Sequence, residues 1–225
     1  MTKQKHKPAE VKRTIITSLQ PDLKAFAGPT PILAIDCEMI QCVDKSKQLA
    51  RVSIVNYNRQ VIFDEYIKPE GEVKDYLSEI TNLNSFKIKN AKNLAFHLPR
   101  IKEILGRDKI VVGHTIESDL EPLGITHDPK LLRDVALFSG YRDGKFRVSL
   151  KNLTAQFLGF NIQAGAHSSV EDARAALELY KLNKLEIDCE FKDNYFKALK
   201  EKNAPVPAKS ADNEDTEELA ENAQA

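Results

Sequence analysis

The stretch Pro31-Ile-Leu-Ala-Ile-Asp36-Cys37-Glu38-Met39 constrains this chain more than any other. Its first five residues are mostly apolar and read as a buried strand, and strand pleating aims the two acids at its end, one residue apart, to the same side. Two carboxylates buried together repel and take up protons unless something positive faces them, and a divalent metal is the usual partner. The spacing alone is a weak signal, because charged residues make up 29% of the chain. The chain supplies its own control. Ile187-Asp188-Cys189-Glu190-Phe191 nearly repeats the same letters, but it follows Leu177–Glu186, whose apolar residues recur at helical spacing, so this second copy is expected on a solvated helix or its end.

With 225 residues, 42% of them hydrophobic, the chain suits one globular domain with residues left over for tails. Lys3, Lys5, Lys7, Lys12 and Arg13 load the front end, and Asp212, Glu214, Asp215, Glu217, Glu218 and Glu221 load the back. Both read as solvated tails, with a basic arm touching nucleic acid or an import receptor as the alternative for the first. The expected division is a basic flexible tail over 1–28, the folded domain over 29–186, a C-terminal helix or free segment over 187–202, and an acidic tail over 203–225. No run approaches a membrane span and the start lacks the apolar stretch of a secretory signal, so the expectation is an intracellular protein with no membrane partner. Three cysteines without a CxxC pair disfavour disulfide scaffolding and a structural zinc site.

After the Gly28-Pro-Thr-Pro31 entry, strands are predicted over Ile32–Cys37, Ala50–Asn56 and Gln60–Ile67, joined by short turns as an antiparallel meander. A helix follows over Leu94–Leu105, where Pro99 should kink it or start a second helix. Lys109–Gly113 reads as a short strand, Ser118–Leu123 as a helix, and the residues from Leu131 to Ala136 as a further strand. Ser149–Leu158 reads as a helix capped by Ser149, and Ser169–Leu185 as a long final helix capped by Ser168 or Ser169. A meander followed by alternating strands and helices predicts an α/β fold, a mixed sheet with helices on both faces. Arg133 and Asp134 are expected to form a structural pair.

Two further acidic stretches stand at helix starts. Val111-Val-Gly113-His114-Thr-Ile-Glu117-Ser118-Asp119 turns from strand to helix through a glycine, and His167-Ser-Ser-Val-Glu171-Asp172 opens the last helix. Each alone is ordinary helix capping. Taken together with Asp36-x-Glu38, they resemble the three motifs of the DEDDh superfamily of 3′ to 5′ exonucleases, in the same order. AIDCEM, ARVSIVN, YIKPEGEVKDY, VVGH, LLRD and HSSVEDARAALELYK are similar to the eukaryotic branch containing RNA exonuclease 4 and the interferon-stimulated exonuclease, over about Ile32 to Lys181.

The resemblance implies a ribonuclease-H-like fold with Asp36, Glu38, Asp119 and Asp172 around two Mg²⁺ or Mn²⁺ ions and His167 as general base. Four carboxylates match the charge of two divalent cations, hard oxygen ligands suit these metals, and such a pair stabilises the attacking and leaving oxygens of an in-line displacement at phosphorus. An imidazole titrates near neutral pH, as a base for water should. Asp172 is taken over Glu171 as ligand because it stands at the motif's spacing from the histidine. The expected partner is the single-stranded 3′ end of RNA, with DNA as the alternative, and the expected product a nucleoside 5′-monophosphate. A non-catalytic nucleic-acid-binding domain of the same fold is the reading from another class; it should have lost a ligand or the histidine, and all five positions are filled.

Met39 and Ile40 fit either core packing or an apolar wedge for the terminal base, and Glu38 with the backbone near Met39 would meet the terminal ribose, where a 2′-hydroxyl is sensed. The sequence departs from the branch at Leu77 (Arg expected), Asn82 (Gly expected) and Gln41 (Gly expected), which puts RNA over DNA preference in question. The resemblance further implies a nuclear, nucleolar role in ribosomal RNA processing.

Overall fold

The computed structural model describes residues 11–16 and 18–202. Lys3, Lys5 and Lys7 and the acidic run over 203–225 lie outside the described residues.

The strands are β1 (Ile32–Cys42), β2 (Lys47–Asn56), β3 (Val61–Lys68), β4 (Val73–Asp75), β5 (Lys92–Asn93), β6 (Ile110–Gly113) and β7 (Leu132–Asp134). They form one seven-stranded sheet in the order β5-β3-β2-β1-β6-β7, with β4 paired to β1 off that path. β1, β2 and β3 are the antiparallel meander, in register through Asp36↔Ser53 and Ser53↔Asp64, while β6 runs parallel to β1 and β7 parallel to β6. β1 does not stop at the acids. It continues to Cys42, with a register shift between Glu38 and Met39. The extra residue at that shift is Ala50 of β2, so β1 keeps its own alternation and the acid pair sits mid-strand, paired to β2 at Asp36↔Ser53 and Glu38↔Arg51.

The helices are α1 (Ser78–Thr81), α2 (Ser85–Ile88), α3 (Leu94–Leu105), α4 (Glu117–Leu120), α5 (Leu150–Leu153), α6 (Ser169–Leu182) and α7 (Lys184–Lys202). Alternation along β1 feeds two cores. Ala34, with Val55 and Val112, packs under α6 against Ala173, Ala176, Leu177 and Tyr180. Leu33 and Ile35, with Ile54 and Val111, pack on the other face against Ile101, Ile104 and Leu105 of α3 and Leu120 of α4. Each such aliphatic side chain contributes about 1.5–3 kcal/mol when fully buried. Helices therefore cover both faces, and the small side chains of α6 bring its backbone close to the sheet.

Several local expectations change. α3 is one helix with Pro99 inside it, and the carbonyl of exposed Ala95, which Pro99 leaves without a helical donor, is open to water. The helix from Ser149 passes after Leu153 into a π turn over Thr154–Leu158, although Ser149 does cap it, accepting the Asn152 N–H at 3.4 Å. Neither Ser168 nor Ser169 caps α6 with its side chain, because the Ser169 hydroxyl lies 2.7 Å from Ser53 Oγ instead. Residues 11–16 and 18–28 touch the domain: the Thr14 and Ile16 N–H groups donate to the Phe157 and Leu158 carbonyls at 2.8 and 2.9 Å, and Leu19 is buried. Apolar residues among the charges of this segment cover the π turn.

Arg133 and Asp134 do not pair. Arg133 Nε donates to Asp188 Oδ1 at 2.7 Å, while Asp134 Oδ1 accepts the Thr115 and Ala136 N–H groups at 2.8 and 2.9 Å. Neighbours on a strand point to opposite faces, which is why the adjacent charges find different partners. The second Asp-Cys-Glu copy lies on α7, as its helical spacing implied, but it is not simply solvated. Ile187 is fully buried, and Asp188 is bound by both Arg133 and Lys184.

Candidate active site

Three elements deliver the acids to one place. β1 supplies Asp36 and Glu38, α6 supplies Asp172, and carboxylate oxygens of these three lie within 4.8 Å of one another. Asp119, buried on α4, is outside that group, but after desolvation its charge is the largest influence raising the Asp36 pKa. Residues far apart in sequence thus share one pocket of negative charge.

Each side chain is positioned by a local device. Asp119 follows the turn after β6, where a Cβ on Gly113 would meet Ile116 at 3.0 Å and Thr115 adopts φ 64°. Asp134 holds that turn through the Thr115 N–H. Asp172 lies one turn into α6, whose first residue is anchored by the buried Ser53–Ser169 hydroxyl pair and whose Ser169 N–H faces the Glu38 carboxylate. Ser53 in turn donates to Asp64 at 2.8 Å, and Asp64 is gripped by Arg51 at 2.8 and 2.9 Å. Gln163 Nε2 donates to Asp172 Oδ2 at 3.0 Å, and Lys151 Nζ donates to the Gln163 carbonyl at 3.1 Å.

The cluster is electrostatically frustrated. Desolvation, then the charges of Asp119, Asp172 and Glu38, push Asp36 well above the ordinary carboxylate range. Desolvation and Asp172 raise Glu38 to about 7, desolvation raises Asp119 to about 8 despite the Cys37 backbone and thiol beside it, and desolvation raises Asp172 to about 6 despite Gln163. Glu38 Oε1 and Asp172 Oδ1 are buried with no hydrogen-bond partner. A hard cation meets both needs at once, since it offers charge and takes oxygen lone pairs. The residues present fit divalent metal ions.

His167 stands at the edge of the cluster, its N–H donating to the Ile80 carbonyl at 2.5 Å and its Nδ1 3.8 Å from Asp172 Oδ2. Desolvation and the Lys151 charge push its pKa below the ordinary imidazole value, against Glu171. Glu171 acts on Asp172 and His167 from outside the carboxylate group. Met39 is half-buried, but Ile40 is fully buried against Ala50, Leu83 and Ile88 and cannot meet a base. Ile40 keeps the strand's alternation and is covered by Leu83 and Ile88 from the α1–α2 segment. Leu77 and Asn82 both adopt left-handed φ, 50° and 55°, around α1, which carries Ile80. Asn tolerates that conformation, so replacing glycine at 82 keeps the turn.

Gln163, Ser53, Ser169, Asp134 and Cys37 support the site without having been singled out for it. Ser53, Ser169 and Asp134 lie inside the ARVSIVN, HSSVEDA and LLRD strings, whereas nothing local marks Gln163.

Residues 33–180 match the family described as Exonuclease, of the RNase T type. The chain belongs to this exonuclease family. It is 36% identical over 179 residues to "RNA exonuclease 4" of Mus musculus, covering 78% of this chain and 40% of that protein. It is 36% identical to "RNA exonuclease 4" of Candida albicans over 165 residues, 71% of this chain and 57% of that one. The chain therefore spans about half the length of these relatives. Among solved structures, the Neurospora crassa Pan2 catalytic unit superposes with a TM-score of 0.64 at 22% identity, covering 85% of this chain and 32% of that one. A Saccharomyces cerevisiae Pan2 module in complex with A7 RNA also gives 0.64, at 24% identity, over 82% of this chain and 34% of that one. At these identities the likeness concerns the fold, which is ribonuclease-H-like. Members of this family are nucleases, hydrolases of phosphodiester bonds.

Proposed function

We propose that this chain is a metal-dependent 3′ to 5′ exoribonuclease that hydrolyses the terminal phosphodiester of single-stranded RNA and releases nucleoside 5′-monophosphates. The observation that carries this reading is the pair of buried, unpartnered oxygens on Glu38 and Asp172, in a cluster with Asp36 and beside the His167 imidazole. Relatives named RNA exonuclease 4 support RNA as the polymer. Two Mg²⁺ or Mn²⁺ ions held by Asp36, Glu38, Asp119 and Asp172 would supply charge stabilisation to the attacking and leaving oxygens.

The protein's own residues do the rest. His167 Nδ1 faces Asp172, which leaves Nε2 to take the proton of the attacking water, and the lowered pKa of the ring favours the form that can accept it. Half-buried Met39 offers apolar surface to the terminal base. The Glu38 carboxylate and the backbone beside it meet the terminal ribose, where a 2′-hydroxyl distinguishes RNA from DNA. Ribosomal RNA precursors in the nucleus, and its nucleolus, are the substrate and place that the resemblance implies.

The test uses 5′-labelled RNA and DNA oligomers of one sequence, with Mg²⁺ or Mn²⁺ present. The expected result is a ladder shortened from the 3′ end, faster on RNA, abolished by EDTA and by Asp36→Ala. Internal cuts that release oligomers, or equal decay of DNA, would contradict it. A fluorescent fusion spread through the cytoplasm would contradict the location.

A further inference from the structure

We propose that the groove between the Arg142–Ser149 loop and the helical turns running on to Phe157 is a track for single-stranded nucleic acid, gripping phosphates upstream of the nucleotide being removed. The groove has a volume of about 940 Å³, and its walls include Arg142, Arg147, Asn152, Gln156 and Phe157. That is at the upper end of the roughly 300–1,000 Å³ of small-molecule pockets, so the space admits more than one nucleotide unit.

On its walls Arg142 and Arg147 outweigh Asp143, and the segment that forms it carries two more cations, Lys145 and Lys151, beside the lining residues. Across 142–151 stand Arg142, Lys145, Arg147 and Lys151 against the single acid Asp143. Among the described residues, none of these four cations is in an ion pair. Arg142 is held by one contact, Nη2 donating to the Lys145 carbonyl, while its Nε is buried without a partner. Beside them Phe146 is 67% exposed, with the Lys145 ammonium 5.6 Å from its ring centre. An exposed ring among unpaired cations suits nucleic acid, because bases stack on the ring and phosphates meet the charges. At the far end Arg13 lies over the Phe157 ring at 5.5 Å.

The near end leads to the carboxylates. His114 Nε2 lies 2.9 Å from the Val148 carbonyl, fixing the loop to the turn that follows β6, and Lys151 reaches Gln163, the residue that donates to Asp172. A strand whose 3′ end is at Asp36 would therefore leave along this loop. The inference rests on the reading of the carboxylate cluster as a site for nucleic-acid ends.

The test compares the full chain with a Lys145→Glu/Phe146→Ala/Arg147→Glu variant; all three positions are exposed, and an unchanged melting temperature checks the fold. Binding of a labelled strand of about ten nucleotides, followed by anisotropy in EDTA without turnover, should weaken about ten- to hundredfold at low salt, and its log–log salt slope should fall by about 0.7 for each cation removed. With Mn²⁺, KM for that strand should rise by a similar factor while hydrolysis of a dinucleotide is unchanged. Equal strand binding by the two proteins overturns the track whether or not the chain hydrolyses RNA. Loss of dinucleotide hydrolysis in the variant also overturns it, since the residues would then act at the reacting end. Tighter binding of polyglutamate than of RNA to the unaltered chain would give the groove to an acidic protein. Strand binding that depends on the groove, with no hydrolysis of either substrate, would uphold the track and remove the exonuclease reading alone.

Discussion

Gln163 donates to one oxygen of Asp172 at 3.0 Å, and the other oxygen of the same carboxylate is buried with no partner at all. The amide thus orients the acid while leaving its free lone pairs turned into the cluster. Groups that orient a metal ligand typically carry 10–100-fold of metal affinity or activity. Gln163→Ala is expected to raise the Mn²⁺ concentration for half-maximal activity about tenfold, with Gln163→Glu worse because it adds a charge. Metal titration of the rate measures both, and an unchanged requirement in the alanine variant would reduce Gln163 to a packing role.

Charge frustration predicts an opposite effect on stability. Glu38→Gln removes one of several crowded carboxylates, so in EDTA the variant should melt higher than the parent, by about 2–4 °C for each kcal/mol of repulsion relieved. The rise in melting temperature on adding Mn²⁺ should shrink in the same variant. Scanning calorimetry with and without metal reads the two effects, and a lower melting temperature in EDTA would mean that Glu38 is satisfied in a way its orphaned oxygen does not suggest.

The pH dependence follows from raised folded-state values. Glu38 at about 7, Asp119 at about 8 and Asp172 at about 6 hold protons in the folded protein that the unfolded chain has released. Their stabilising contribution is complete below the ordinary carboxylate range, near pH 4, and is lost as pH rises through 6 to 8. Metal-free protein should therefore melt at progressively lower temperature between pH 5 and pH 8, and Mn²⁺ should flatten that decline by taking the place of the protons. Melting curves at fixed ionic strength in EDTA test the slope.

Ser53 and Ser169 form a buried hydroxyl pair that joins β2 to the start of α6. Ser53→Ala strands the Ser169 hydroxyl in a dry place at a cost of about 1–3 kcal/mol. Because the Ser169 N–H faces Glu38, activity should fall with stability, whereas Ser53→Thr, which keeps the hydroxyl, should recover part of both. Denaturant melts paired with rate measurements separate the outcomes; full activity in the alanine variant would show that the helix start is held by packing alone.

Arg133 and Asp188 bind α7 to β7, with Lys184 sharing the carboxylate. Burial works to raise the Asp188 pKa, but its hydrogen bonds from Lys184 and Arg133 prevail and lower it. Arg133→Met should expose α7 to limited proteolysis while leaving the distant carboxylate cluster competent. Cleavage rates followed by mass spectrometry check this, and protection equal to that of the parent would mean that Ile187 and Phe191 suffice.

What could be read from the residue order had a local signature. Alternation in ARVSIVN and the apolar run before Asp36 placed the meander, and the helical stretch from Ser169 placed α6, although the packing of its small side chains on the sheet shows only in the fold. The five candidate positions carry short motifs in a known order, and the structure groups Asp36, Glu38 and Asp172 with His167 at their edge. Ile40 was not legible, because its burial depends on Leu83 and Ile88 more than forty residues later packing over that face of β1, which is a property of the tertiary fold. Gln163 and Asp134 work through hydrogen bonds across the fold, and Arg133 selected a partner 55 positions away rather than its neighbour.

α6 brings Asp172 to the cluster and, with Leu177 and Tyr180, closes one of the two cores. Completion of the scaffold and arming of the catalyst are consequently the same event. A chain emerging from the ribosome, or one loosened by heat, holds its first two acids without the fourth, and such a form would be inert toward the nucleic acid around it.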